Sequence, residues 1–120
     1  MQDKPIVVID FANNLIRIHK KTIISLGSPE NILLIINPQK LTIGIIGCSK
    51  DVHGSHRIHF TKKHCCELYS KSLVRTIKQT FLYWDKEKSY RITGDYIPKE
   101  RIACFNLSES VPIKPDEEDI

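Results

Sequence analysis

Eight basic residues stand at spacings that suit contact with phosphate: Arg17, Lys20, Lys21, Lys62, Lys63, Lys71, Arg75 and Lys78. Phosphate recognition needs cations gathered on one surface, and each neutralised phosphate releases bound counterions. Lys71, Arg75 and Lys78 recur at i, i+4 and i+7, which places them on one stripe of a helix. Lys20-Lys21 and Lys62-Lys63 lie near expected helix starts, where free backbone N–H groups also favour phosphate. The plain alternative is a solvated helix face, because lysines are mostly exposed anyway. No aromatic-plus-basic signature of an RNA-recognition sheet occurs, so DNA is the expected polyanion.

Other chemistries find less support. Cys48, His53, His56, His59, His64, Cys65 and Cys66 crowd 19 residues, and thiolates with imidazoles are the usual zinc ligands. Their spacing matches no standard finger, so the sequence assigns no metal and no cofactor. Asp10 closes the apolar run Val7-Val8-Ile9, a place where hydrolases set a metal-binding carboxylate. A nuclease needs two to four converging acids; Glu30, Asp51, Glu67 and Asp95 are scattered, and Asp10 beside Asn13-Asn14 suits a turn cap. There is no G-x-S-x-G and no phosphate-binding loop, so the expectation is a binding protein, not an enzyme. Tyr83, Trp84, Tyr90 and Tyr96 offer either a small core or an aromatic contact patch.

The formal net charge of the 120 residues is +4, but it is unevenly placed. Residues 108–120 hold five acids and one base, which leaves 17 bases against 9 acids in the remainder. A basic body with an acidic tail points to an anionic partner and to a tail that competes for the same surface. Pro112, Pro115 and the acids mark 108–120 as a disordered tail. The longest apolar runs, Ile6–Ile9 and Ile32–Ile36, are too short to span a bilayer. Met1–Pro5 has no apolar signal region. The four cysteines lack a C-x-x-C, and free thiols in the cytoplasm follow.

These residues need elements to carry them. Pro5–Ala12 and Leu15–His19 read as strands around an asparagine turn, with Lys20–Leu26 a short helix closed by Gly27 and Pro29. Asn31–Asn37 and Leu41–Gly47 form a hairpin around Asn37-Pro38-Gln39-Lys40. A polar loop, Cys48–His56, leads to a strand Arg57–Thr61 with Ile58 and Phe60 inward. Tyr69, Leu73, Ile77 and Phe81 repeat at i+4 and predict a helix over Glu67–Tyr83. Trp84–Lys88 turns into the strands Ser89–Ile97 and Arg101–Leu107. The fold class is α+β: two related strand–helix–hairpin halves, 14–47 and 57–107, on a mostly antiparallel sheet with one short and one longer helix. Residues 1–107 make a single domain.

Two helices blanket only one face of about seven strands. Ile32–Ile36 is apolar on both faces and needs a second layer. Either the sheet closes on itself or a second subunit covers it; a homodimer is the expectation.

Leu15-Ile16-Arg17-Ile18-His19-Lys20-Lys21-Thr22-Ile23-Ile24-Ser25-Leu26-Gly27, with the two strands after it, resembles the AbrB-type swapped-hairpin DNA-binding domains over roughly residues 1–47. The resemblance implies an intertwined dimer presenting Arg17, Lys20 and Lys21 to DNA. His19-Lys20 stands where that family places a proline, and no aspartate follows the Leu-Gly segment. The order of elements also looks like the repeated unit of sliding clamps, which likewise handle DNA. The resulting expectation is a non-catalytic DNA-binding protein, a transcriptional regulator or replication accessory factor. A protein-assembly module without a nucleic-acid role is the alternative.

Overall fold

The computed structural model describes residues 4–60, 65–80 and 88–113. Its first half runs β1 (Ile6–Asp10), β2 (Leu15–His19), α1 (Lys20–Ser25), β3 (Asn31–Asn37) and β4 (Thr42–Cys48). The second half runs β5 (His56–Arg57), β6 (Cys65–Tyr69), α2 (Lys71–Thr80), β7 (Ser89–Thr93), β8 (Asp95–Ile97) and β9 (Ile102–Asn106). A single 3₁₀ turn, Leu107–Glu109, then leads to β10 (Val111–Ile113). The fold is α+β, with two antiparallel five-stranded sheets ordered β10-β7-β1-β2-β6 and β5-β3-β4-β9-β8.

Turn chemistry sets the connections. Asn14 takes the left-handed conformation (φ 51°) that the β1–β2 hairpin demands. Gly27 (φ 89°) ends α1. The β3–β4 and β8–β9 hairpins share one design. Pro38 or Pro98 opens the turn, and Leu41 (φ 54°) or Arg101 (φ 51°) closes it in the left-handed region.

The two sheets are linked on both sides. Residue Phe60, just past β5, bridges to Cys66 in β6. On the far side, β7 and β8 are one run of chain that changes sheet at Gly94, whose amide donates to the Pro5 carbonyl at 2.8 Å. The circuit β1-β2-β6-(56–60)-β3-β4-β9-β8/β7 therefore returns to β1, a closed, barrel-like arrangement. The pairing scheme is symmetric under exchange of halves: β1 pairs with β7 as β5 pairs with β3, while β2·β6 and β4·β9 map onto themselves.

The core fills the space between the sheets. Val7, Ile9, Ile16, Ile18, Leu68 and Ile92 point in from the first sheet; Ile32, Ile43, Ile45, Ala103 and Phe105 come from the second. Ile23 of α1 and Val74 and Ile77 of α2 join the same cluster. The chain thus covers the inner face of β3 itself. The outward face keeps Leu33 half-buried and Ile35 45% exposed.

Two boundaries differ from the sequence reading. Residues 67–69, expected to open the second helix, belong instead to strand β6, because Cys66 and Leu68 alternate into the core beside Ile18 and Ile16. Tyr69 is therefore a strand residue, 72% exposed, and not part of the helical stripe. Part of the segment expected as a disordered tail, 108–120, is structured: β10 pairs with β7 and buries Ile113, while 114–120 lie outside the described residues. Trp84 and Phe81 also fall outside the described residues.

Candidate nucleic-acid interface

The β2–β6 ladder decides where the cations go. Leu15 pairs with Tyr69 and His19 with Cys65, so the two strands run in opposite directions over five residues. α1 starts at the His19 end and α2 at the Tyr69 end. Those starts are separated by about 14 Å of strand, at about 3.4 Å per residue. Among the described residues the expected lysines and arginine of the two helices therefore form two groups, not one.

At one end, His19 caps α1: its Nδ1 accepts from the Lys21 amide at 3.0 Å. Lys20 and Lys21 are exposed there. Lys62 and Lys63 lie outside the described residues. At the other end, Ser70 caps α2 by accepting from the Leu73 amide at 3.2 Å. Lys71 and Arg75 are exposed on that helix, and Lys78 is half-buried with its Nζ 5.4 Å from the centre of the Phe11 ring. No acid occurs between Lys71 and Thr80. Lys78 in the last turn also complements the helix dipole.

Arg17 belongs to neither group. It lies midway along β2, half-buried, with Nη1 4.0 Å from Oδ2 of Asp10 and Glu67 opposite it in the ladder. Asp10 is 1% exposed and also accepts from the Asn13 amide (3.2 Å) and side chain (2.8 Å). Its carboxylate is committed to closing the β1–β2 turn and to Arg17.

The cysteine–histidine run does not converge. Cys65 and Cys66 are successive residues of β6 and point to opposite faces. All four cysteines are free, and burial raises the Cys66 and Cys104 thiols above the usual range. Among the described residues no three of His, Cys, Asp and Glu gather around a common point; His64 lies outside them.

Sequence reasoning missed a second feature. Phe60, expected inward, is 50% exposed, while Ile58 does pack against the core. After Arg57 the Ile58 amide still donates to the Glu30 carbonyl, and the chain then crosses to the first sheet, where His59 accepts from the Glu67 amide and Phe60 bridges to Cys66, leaving the ring half exposed. Lys20 Nζ instead sits 5.7 Å from its centre. Phe60 borders two surface hollows. One, of about 410 Å³, also includes Lys50, Arg57 and Glu30. The other, of about 340 Å³, includes His59, Glu67 and Tyr69. The Tyr69 hydroxyl donates to Oε2 of Glu67 at 2.9 Å, which holds the phenol above the usual tyrosine range. An aromatic flanked by cations at a bent strand was visible as Arg57-x-x-Phe60; the expected inward alternation hid it.

No protein-family model matches the chain, and no curated protein or solved structure is significantly similar to it. Among the described residues no helix is long and apolar enough to cross a membrane.

Proposed function

We propose that this chain is a non-catalytic DNA-binding protein whose main phosphate contacts are Lys71, Arg75 and Lys78. The observation that carries the reading is the run Lys71–Thr80, a capped helix with three cations, no acid, and its apolar side anchored by Val74 and Ile77. The anchoring fixes the cations relative to the barrel, so their binding loses little order. Lys20 and Lys21 form a secondary contact at the other end of the ladder. The AbrB-type and clamp-type resemblances agree with this partner class; the regulator or replication-accessory role and a cytoplasmic location belong to the same proposal.

Three phosphate contacts on duplex DNA give a slope of about −2.7 in log K against log salt, or about a 40-fold loss of affinity between 50 and 200 mM salt. Lys71→Glu with Arg75→Glu removes about two-thirds of that slope and weakens binding on any sequence. Equal affinity and slope in the double variant would refute the assignment to α2.

A second reading rests on a different face. Leu33, Ile46, Ile102 and Ile97 stand side by side across β3, β4, β9 and β8 on the outside of the second sheet. Ile35 beside them is 45% exposed and Ile97 37%. That row favours a homodimer or an assembly partner, and the mass of the protein in solution tests it.

A further inference from the structure

We propose that the two hollows flanking Phe60 form a track for single-stranded DNA. Bases stack on Phe60 and Tyr69, and the sugar-phosphate backbone is drawn by Lys20, Lys50 and Arg57. The choice of DNA rests on the reading above; the rings themselves lie outside α2, which opens at Lys71 two residues after Tyr69.

The first support is the pair of aromatics. Phe60 (50% exposed) and Tyr69 (72% exposed) are two large rings left open on a small domain that buries its other described phenylalanines, Phe11 and Phe105. Both line the 340 Å³ hollow, together with His59 and Glu67. A base has a π-face whatever its identity, so exposed rings make a sequence-tolerant platform. Phe60 bridges to Cys66, and Tyr69 lies three residues further along β6. Their backbone positions are thus offset by about 10 Å along the strand, close to three steps of a strand stacked at about 3.4 Å per nucleotide.

The second support is charge. Lys20 sits over the Phe60 ring, and Lys50 and Arg57 line the adjoining hollow, so three cations surround one aromatic. Glu30 and Glu67 are the acids of the two hollows. Glu67 keeps phosphate away from the floor between the rings and sends the backbone to the lysine side. Its carboxylate accepts hydrogen bonds and suits the amino groups of unpaired bases. A duplex spends those amino groups on its partner strand; a single strand offers them. The Tyr69 hydroxyl, bonded to Glu67, holds both groups in one arrangement.

Fluorescence anisotropy of the full chain with a mixed-sequence 12-nucleotide single strand, and with the same sequence as duplex, tests this. The wild type binds the single strand. Phe60→Ala and Tyr69→Ala each weaken that binding about 5- to 100-fold and leave duplex affinity within about twofold. Tyr69→Phe, which keeps the ring, retains most of the single-strand affinity. Both rings are exposed, so the alanine variants keep the fold, and thermal melts verify it. Wild-type-like single-strand binding in both alanine variants overturns the track and leaves the α2 reading standing. A wild type that binds neither single strand nor duplex overturns both.

Discussion

Replacing Gly94 with alanine tests the join between the two sheets. Gly94 is the one residue between β7 and β8, at the point where the chain passes from one sheet to the other. Its φ lies outside the left-handed region, so space and not conformational freedom requires glycine. A Cβ there would press into the carbonyl oxygen of Cys104 and lie 2.7 Å from Cδ1 of Phe105. The first obstacle is backbone held by the Asp95–Cys104 pairing, and the second is a ring with no exposed surface. Neither can rotate away. The strand must shift outward, which also stretches the 2.8 Å bond from the Gly94 amide to Pro5. Overpacking of this kind costs about 1–3 kcal/mol, and a lost backbone hydrogen bond adds about 1 kcal/mol. A total near 3 kcal/mol is a large fraction of the roughly 6–15 kcal/mol expected for a chain of this size, and it lowers Tm by about 10 °C. Gly44→Ala is the internal control. Its Cβ would meet Cδ1 of Ile102 at 2.6 Å, the free end of a side chain on the outer face, which can turn aside. That variant changes stability by less than about 1 kcal/mol. Thermal and urea unfolding of the two variants read the contrast. A Gly94→Ala protein that melts within about 2 °C of wild type, or a Gly44→Ala protein equally damaged, would show that the sheets do not close at Gly94.

Two further outcomes are expected. Ionising Tyr69 breaks its bond to Glu67 and sets two negative charges together, so its folded-state pKa is raised. The stabilisation is complete below the unfolded tyrosine value and is lost as pH rises through the higher folded value. In ultraviolet difference titration against Tyr69→Phe, Glu67→Gln should return this tyrosine toward its ordinary range, and an unmoved titration would contradict the contact. If the outer row of the second sheet joins two copies, the wild type sediments as a dimer, and Ile35→Lys with Ile97→Lys sediments as a 13.9 kDa monomer; a monomeric wild type rules out that interface.

Local signals made much of the fold legible. Asn31–Asn37 and Leu15–His19 have the bounds read from their patterns, because a short apolar run or a strict alternation between turn residues leaves few alternatives. Asn14 and Gly27 carry the positive φ their positions implied. β6 was not legible. Cys-Cys-Glu-Leu-Tyr is short, and Tyr69 continues the i+4 spacing of the helix that follows, so the period of the helix masked that of the strand. The exposure of Phe60 depends on a strand that swaps sheets, a tertiary event with no local mark. The separation of the two basic groups was likewise hidden. Spacing within a helix places cations on one stripe, but the ends from which α1 and α2 leave follow from the antiparallel β2–β6 pairing.

That pairing relates the two proposed contacts. A polyanion touching both basic helices must cross about 14 Å of the β2–β6 ladder. Arg17 cannot serve as a bridge in the middle, because it faces Asp10 and Glu67. Residues alongside β6 can. Lys20 sits over Phe60 near one end of the ladder; Tyr69 ends β6, and Lys71 opens α2 two residues later. Read along the strand, the order is cation, ring, carboxylate, ring, cation. A rigid duplex presents phosphates on its outside and has no unpaired base to give the two rings, so it would engage one helix at a time. A flexible single strand can set its phosphates on Lys20 and Lys71 and its bases on Phe60 and Tyr69 together. The separation of the cations, which weakens the case for a single duplex-binding patch, is for that reason the geometry a single strand would use.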